Sequence, residues 1–193
     1  MTSDAAAELY LLLADQGVRL WVDGGWGVDA LLGEQTRPHK DLDLFVRLED
    51  LATMIRVLIP PGFTLAYTWE ENQWARYPVP VRLIASESTD SDVATAFVLK
   101  DVLGREIDVH VLAFDESGNG VPAWKTGLLF PASAFTGRGA IAGTPVHCLS
   151  AQMQMRTHTG YPLQDKDICD LRRLHERFGV DYPPEHARLF TSE

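Results

Sequence analysis

The stretch "DGGWGVDALLGEQTRPHKDLDL", residues 23–44, links a glycine pair, Gly24-Gly25, to an acidic doublet, Asp41 and Asp43. Its closing part, "DLDLFV" (41–46), alternates strictly. A two-residue period predicts a strand that turns Leu42, Leu44 and Val46 toward a core. Asp41 and Asp43 then share the opposite face, with side chains roughly 7 Å apart. Aspartate is a poor strand former, and two buried carboxylates this close would repel and raise one pKa sharply. A hard divalent cation answers both difficulties, because Mg²⁺ takes one or two carboxylates and completes its shell with phosphate oxygens. A solvated strand face is the plainer reading of a lone D-x-D, so the neighbours decide.

Upstream, "VRLWV" (18–22) reads as a short apolar strand running into the glycines, and "WGVDALLG" as a short helix stopped by Gly33. Glycines at a helix start leave unhindered backbone and free N–H groups, which suits an anion. Alone, such a pair is usually a turn and nothing more. A third carboxylate comes from "REIDVHVL" (105–112), where Ile107, Val109 and Val111 alternate with Glu106, Asp108 and His110. Set beside the first acidic strand, Asp108 would complete a three-carboxylate cluster able to hold two metal ions. Glu106 reads as an exposed strand-edge residue.

The rest of the chain sets the frame. Its 193 residues suffice for one domain, or one domain with a helical extension. Helices are predicted over 4–16, 48–60, 150–160 (N-capped by Ser150) and 164–179. Strands are predicted at 63–67, 81–85 and in a hairpin over 95–114 that turns at Gly104. Residues 115–148 are rich in Gly and Pro, with short strands at "GLLF" and "TPVHC". This is an α+β domain followed by helices. Seventeen basic against 27 acidic side chains, a net charge of −10, argue against nucleic acid or an anionic membrane as partner. Cys148 and Cys169 fit no ligand spacing and read as buried thiols in a reducing compartment. With no apolar run near 18 residues and no basic-then-apolar leader, a cytoplasmic protein is expected.

Taken together, "WVDGGWGVDALLGEQTRPHKDLDL", "GREIDVHVL" and "HCLSAQMQMRTHTGYPLQDKDICDL" resemble the nucleotidyltransferase superfamily related to DNA polymerase beta. More narrowly they resemble the lincosamide nucleotidyltransferases and the aminoglycoside 2″-adenylyltransferase group. The resemblance runs over roughly residues 5–175. It implies a mixed twisted sheet flanked by helices, with residues 1–148 as catalytic domain and 149–193 as a helical extension packed on it. It further implies Gly24 and Gly25 as triphosphate contacts, and Asp41 and Asp43 as Mg²⁺ ligands. Asp108 becomes a metal ligand or the base for an acceptor hydroxyl. Arg37 and His39 match an R-x-H lead-in at the nucleotide, with His39 holding phosphate or acceptor, against the alternative of a structural hydrogen bond. Lys166 matches a basic position that reaches the phosphates, against the alternative of an i,i+4 pair with Asp170. The implied cofactors are two Mg²⁺ ions with ATP or another NTP as co-substrate. The implied partner is a small-molecule hydroxyl acceptor, and a homodimer is an analogy the family offers. A protein or tRNA acceptor, and a non-catalytic nucleotide-binding module, are the alternatives.

The departures from the family pattern fall on the acceptor side. Ala96 stands where relatives often have Arg, with Arg82 the nearest substitute, and Val111 stands where they often have Pro. Trp69, Trp74 and Tyr77 read as core or as an acceptor wall, and Trp26 as packing beneath the phosphate turn. His147 and His158 have no metal-ligand partners at usable spacing. The G-x-S-x-G and G-x-x-x-x-G-K-[ST] motifs are absent, which removes the hydrolase triad and the commonest phosphate loop.

Overall fold

The computed structural model describes residues 1–70, 73–82, 96–122 and 129–190, the side chains of 68–70 and 73–82 excepted. Nine strands are described: β1 (Leu20–Asp23), β2 (Asp41–Arg47), β3 (Thr64–Glu70), β4 (Gln73–Arg82), β5 (Ala96–Lys100), β6 (Glu106–Phe114), β7 (Gly120–Pro122), β8 (Gly137–Ile141) and β9 (Thr144–Cys148). They form one sheet in the order β4-β3-β5-β6-β2-β1-β9-β8, with β7 pairing the end of β6. The sheet is mixed: β2 runs parallel to β6 and β1 to β9, and the other pairs are antiparallel.

Helices α1 (Ser3–Ala14), α2 (Gly24–Leu32) and α3 (Leu51–Leu58) cover one face. Thr2 caps α1 by accepting the Ala5 amide. Beneath them lie Leu42, Leu44 and Val46, the apolar side of the alternation in β2, with Ile107, Val109 and Val111 from β6. The other face carries a smaller cluster of Phe45, Leu112, Phe130, Phe135, Leu149 and Met153. Phe45 therefore shares the aspartate face of β2 yet is buried, so only the N-terminal end of that face is left for polar work.

Two further helices, α4 (Ala151–Thr157) and α5 (Asp165–Phe178), close the chain. Ser150 caps α4 through the Met153 amide, and Gln164 with Asp167 forms a capping box on α5. They pack on α2 through Val28, Met155, Leu171 and Leu174. Because Trp26 and Ala30 of α2 face the main core, this one short helix ties the sheet to the C-terminal pair. Leu171 is fully buried in that joint. Leu171→Ala is expected to cost about 2–5 kcal/mol in denaturant unfolding.

Several sequence expectations are corrected. The strand before the glycines is Leu20–Asp23 rather than 18–22, and α2 begins at Gly24 rather than after the pair. The strand placed at 81–85 is β4, which begins at Gln73; residues 83–85 lie outside the described residues. Pro78 and Pro80 hid it; they fall at the register break between the Tyr67–Arg76 and Leu65–Val81 pairs, where no ladder N–H is needed, and among the described residues β4 is the last strand of the sheet. The 48–60 helix is a 3-10 turn followed by the shorter α3. Strand β8 is not predicted from the sequence, and it forms because Ala142 (φ 48) and Gly143 (φ 78) make the tight turn that folds it onto β9. In "GLLF", Phe130 makes a single bridge to Gly120, and Gly127-Leu128 lie outside the described residues. Cys148 is buried, but Cys169 is exposed, because it falls off the stripe of Asp167, Asp170, Leu171 and Leu174 that α5 turns inward.

Candidate active site

Register builds the site. Asp23 of β1 pairs Asp43 of β2, Asp43 pairs Asp108 of β6, Asp108 pairs Val98 of β5, and Val98 pairs Tyr67 of β3. Residues paired across strands point to the same face, so one rung of the sheet carries three adjacent carboxylates and then an apolar segment. The next rung pairs Asp41 with Glu106 and Glu106 with Lys100.

Glu106 corrects the expectation of an exposed edge. It is 5% exposed, and its carboxylate takes Lys40 Nζ at 2.6 Å and Lys100 Nζ at 2.8 Å. Burial pushes its pKa up, and the two lysines more than offset this to leave it below the usual value.

The glycines make room rather than a loop. Gly24 sits at φ 57, where a Cβ would lie 2.3 Å from Asp43 Oδ2; on Gly25 a Cβ would lie 2.2 Å from His39 Nδ1 and 2.7 Å from an Arg37 nitrogen. The acidic strand and the R-x-H segment both press on this junction. His39 is buried, and its Nε2 engages Asp29 Oδ2, while Asp29 Oδ1 accepts Thr36 Oγ1 at 2.6 Å. Arg37 donates to His39 Nδ1 at 3.0 Å, which makes the ring an Nε2–H donor toward Asp29. The guanidinium also reaches Asp170 of α5, with one terminal nitrogen 2.7 Å from Oδ2 and Nε at 3.3–3.4 Å. Trp26 packs against His39 with the rings tilted and 4.4 Å between centroids, buried beneath the junction as expected.

Gly24, Gly25, Arg37, His39, Asp41, Asp43 and Lys166 all line one cavity of about 450 Å³. Asp108 opens instead to an adjoining cavity of about 240 Å³, with Tyr67, Val98 and Glu106; Lys40 and Asp41 belong to both. The i,i+4 alternative for Lys166 is not formed, since Asp170 faces Arg37, and among the described residues no carboxylate lies within ion-pair distance of Lys166. The side chains of Trp69, Trp74, Tyr77 and Arg82 lie outside the described residues. Sequence reasoning missed Asp23, Asp29, Asp170 and Tyr161. Only Asp23 had a signal, as the acid abutting the glycines in "WVDGG".

The crowding shows in the acidities. Asp43 is raised well above the usual carboxylate value, by burial first and then by the charges of Asp108, Asp41 and Asp23, with Lys166 acting against them. Asp108 is pushed up to about 7 by burial and then by Asp41 and Asp23. Asp23 is raised to about 6 by burial, opposed by His158, the Gly24 amide and the Thr157 hydroxyl. Burial lowers His110 to about 4, so it is neutral near pH 7. Its Nε2, 3.5 Å from Asp108 Oδ1, therefore does not neutralise that carboxylate.

Among the described residues no three His, Cys, Asp or Glu side chains converge as a finished metal cage. The donors nevertheless fit a hard cation. They are all oxygen, burial and then mutual repulsion raise the proton affinity of Asp43 and Asp108, and among the described residues Asp108 Oδ1 is buried with no hydrogen-bond partner. Such a cation takes few protein ligands and completes its shell with water and phosphate.

The sequence pattern of the aminoglycoside-2″-adenylyltransferase family matches residues 6–89 and 81–174. A lincosamide resistance protein of Staphylococcus haemolyticus is 26% identical over 159 residues, 81% of this chain and 84% of that protein. In fold, the lincomycin-bound lincosamide antibiotic adenylyltransferase LnuA matches with a TM-score of 0.64 and 24% identity, over 84% of this chain and 89% of that one. ANT(2″)-Ia in complex with adenylyl-2″-tobramycin matches with a TM-score of 0.63 and 18% identity, over 97% and 92%.

Proposed function

This chain belongs to the aminoglycoside-2″-adenylyltransferase family and is a nucleotidyltransferase, and from that premise we propose that it moves AMP from ATP to a hydroxyl of a lincosamide or aminoglycoside. The observation that carries the reading is the Asp43–Asp108 pair on parallel strands, with Asp41 one rung away, where two cavities meet. The larger cavity takes the nucleotide. Gly24 and Gly25 admit the triphosphate, with Lys166 and Arg37 beside it and His39 holding Arg37 in place. The smaller cavity takes the acceptor, and its Tyr67 and Val98 offer a sugar an apolar wall.

Mg²⁺ held by Asp41 and Asp43, with Asp108 near, would draw charge from the phosphoryl oxygens. Asp108 accepts the proton of the acceptor hydroxyl. The acceptor oxygen bonds to the α-phosphorus, the α–β anhydride bond breaks, and pyrophosphate leaves. Positioning and charge neutralisation supply most of the acceleration.

The test is pyrophosphate release from ATP and other NTPs with Mg²⁺ against a panel of lincosamides and aminoglycosides. Release that needs both Mg²⁺ and one acceptor class is expected. No release across the panel would overturn the reading; label reaching proteins or tRNA in a lysate would replace it with a macromolecular acceptor.

A pH dependence follows from the acidities of Asp23 and Asp108. A carboxyl held above its ordinary value, about 4, makes the native state bind extra protons. Stability is then full below that value and falls as pH rises toward about 6 and about 7. A cation replaces those protons. Mg²⁺ should therefore raise the melting temperature more at about pH 8 than at about pH 5, as differential scanning calorimetry can check.

A further inference from the structure

We infer that Asp170 is a positioning residue for the nucleotide side of the site: by engaging Arg37 it holds α5 against the strand-to-helix junction and leaves the Lys166 ammonium, one turn earlier, in the cavity. The inference rests on the nucleotidyl-transfer reading, and three observations support it. The first is what surrounds Lys166. Asp165, Asp167 and Asp170 share its end of α5, yet Asp167 accepts the Gln164 amide at 2.8 Å, Asp170 accepts Arg37 at 2.7 Å, and among the described residues none of the three forms an ion pair with Lys166. Lys166 instead lines the cavity, where its charge acts on Asp43.

The second is the burial of the latch. Asp170 is 0% exposed, so its carboxylate depends on Arg37 for compensation. The third is continuity. Arg37 passes from Asp170 to His39, and His39 passes to Asp29 on α2, so an unbroken hydrogen-bonded chain joins α5 to the helix that starts at Gly24. A paired guanidinium fork fixes direction as well as distance, and this one sets where α5, and Lys166 with it, stands relative to the carboxylate rungs.

Calorimetric Kd for Mg-ATP, which needs no acceptor, tests this on the full chain with Asp170→Asn, Lys166→Ala and the double variant. Each single change is expected to weaken binding about tenfold. The double should be no more than about twofold weaker than Lys166→Ala, because His39 still holds Arg37 and Asp170 acts through Lys166. Unchanged binding in Asp170→Asn, or single effects that multiply in the double, would overturn the inference. If Asp170→Asn does not fold, Asp170→Glu, which keeps the charge and displaces the helix, carries the same expectation and the same refutation. A wild-type chain that binds no Mg-ATP would overturn the nucleotidyl-transfer reading itself, and this inference with it.

Discussion

Asp43→Asn is expected to lower kcat by more than about a thousandfold while making the metal-free protein more stable at neutral pH. The first half follows from its place. Asp43 stands in register between Asp23 and Asp108, under Gly24 and facing Lys166 across the nucleotide cavity. A proposed Mg²⁺ ligand at that centre cannot be replaced by a neutral amide, and a thousandfold loss corresponds to about 4 kcal/mol of transition-state stabilisation. The second half follows from the sign of its acidity. Burial and three neighbouring carboxylates raise its pKa, so ionising it costs the native state more than the unfolded chain. Asparagine keeps the shape and removes that cost. A gain of about 1 kcal/mol would appear as about 2–4 °C in Tm for a chain of this size. An inactive variant of lower stability would mean that Asp43 is a structural carboxylate, and an active variant would remove it from the chemistry.

Gly24→Ala carries the second large effect, for two separable reasons. At φ 57 a side chain costs about 1–2 kcal/mol of backbone energy. The new Cβ would also lie 2.3 Å from Asp43 Oδ2 and 2.8 Å from its Cγ, so the carboxyl group must turn away. Activity should fall by more than about a hundredfold, beyond what the lost stability explains. Gly33→Ala supplies the control. Gly33 has φ 80 and no atom within 4 Å of its would-be Cβ, so about 1 kcal/mol of stability is lost while kcat and KM stay near wild type. Equal effects on activity at both positions would show that backbone strain alone, and not the contact with Asp43, matters at Gly24.

The parts of the fold that could be read from sequence were those governed by a local period. The alternation in 41–46 and 105–112 gave both acidic strands and the common face of Asp41, Asp43 and Asp108, and the Gly-bounded helical tracts gave α1, α2, α4 and α5. What depends on pairing partners could not be read. Glu106 looked exposed because nothing local shows that Lys40 and Lys100 arrive from either side. Asp23 joins the rung only through the β1–β2 register. Asp29 and Asp170 lie far apart in sequence, and only the fold links them through Arg37 and His39. Local rules also concealed β4, whose prolines are acceptable because they fall at a break in its register with β3.

Nucleotidyl transfer carries the α-phosphorus of a nucleoside triphosphate to an acceptor hydroxyl and leaves the β- and γ-phosphates as pyrophosphate. Parallel incubations with ATP labelled at the α- or the γ-phosphorus, Mg²⁺ and the antibiotic panel test it most directly. Label from the α position should appear on the acceptor, with γ-label leaving as pyrophosphate and neither moving in Asp43→Asn. Transfer of γ-label to the acceptor, or no label on any acceptor, would contradict it.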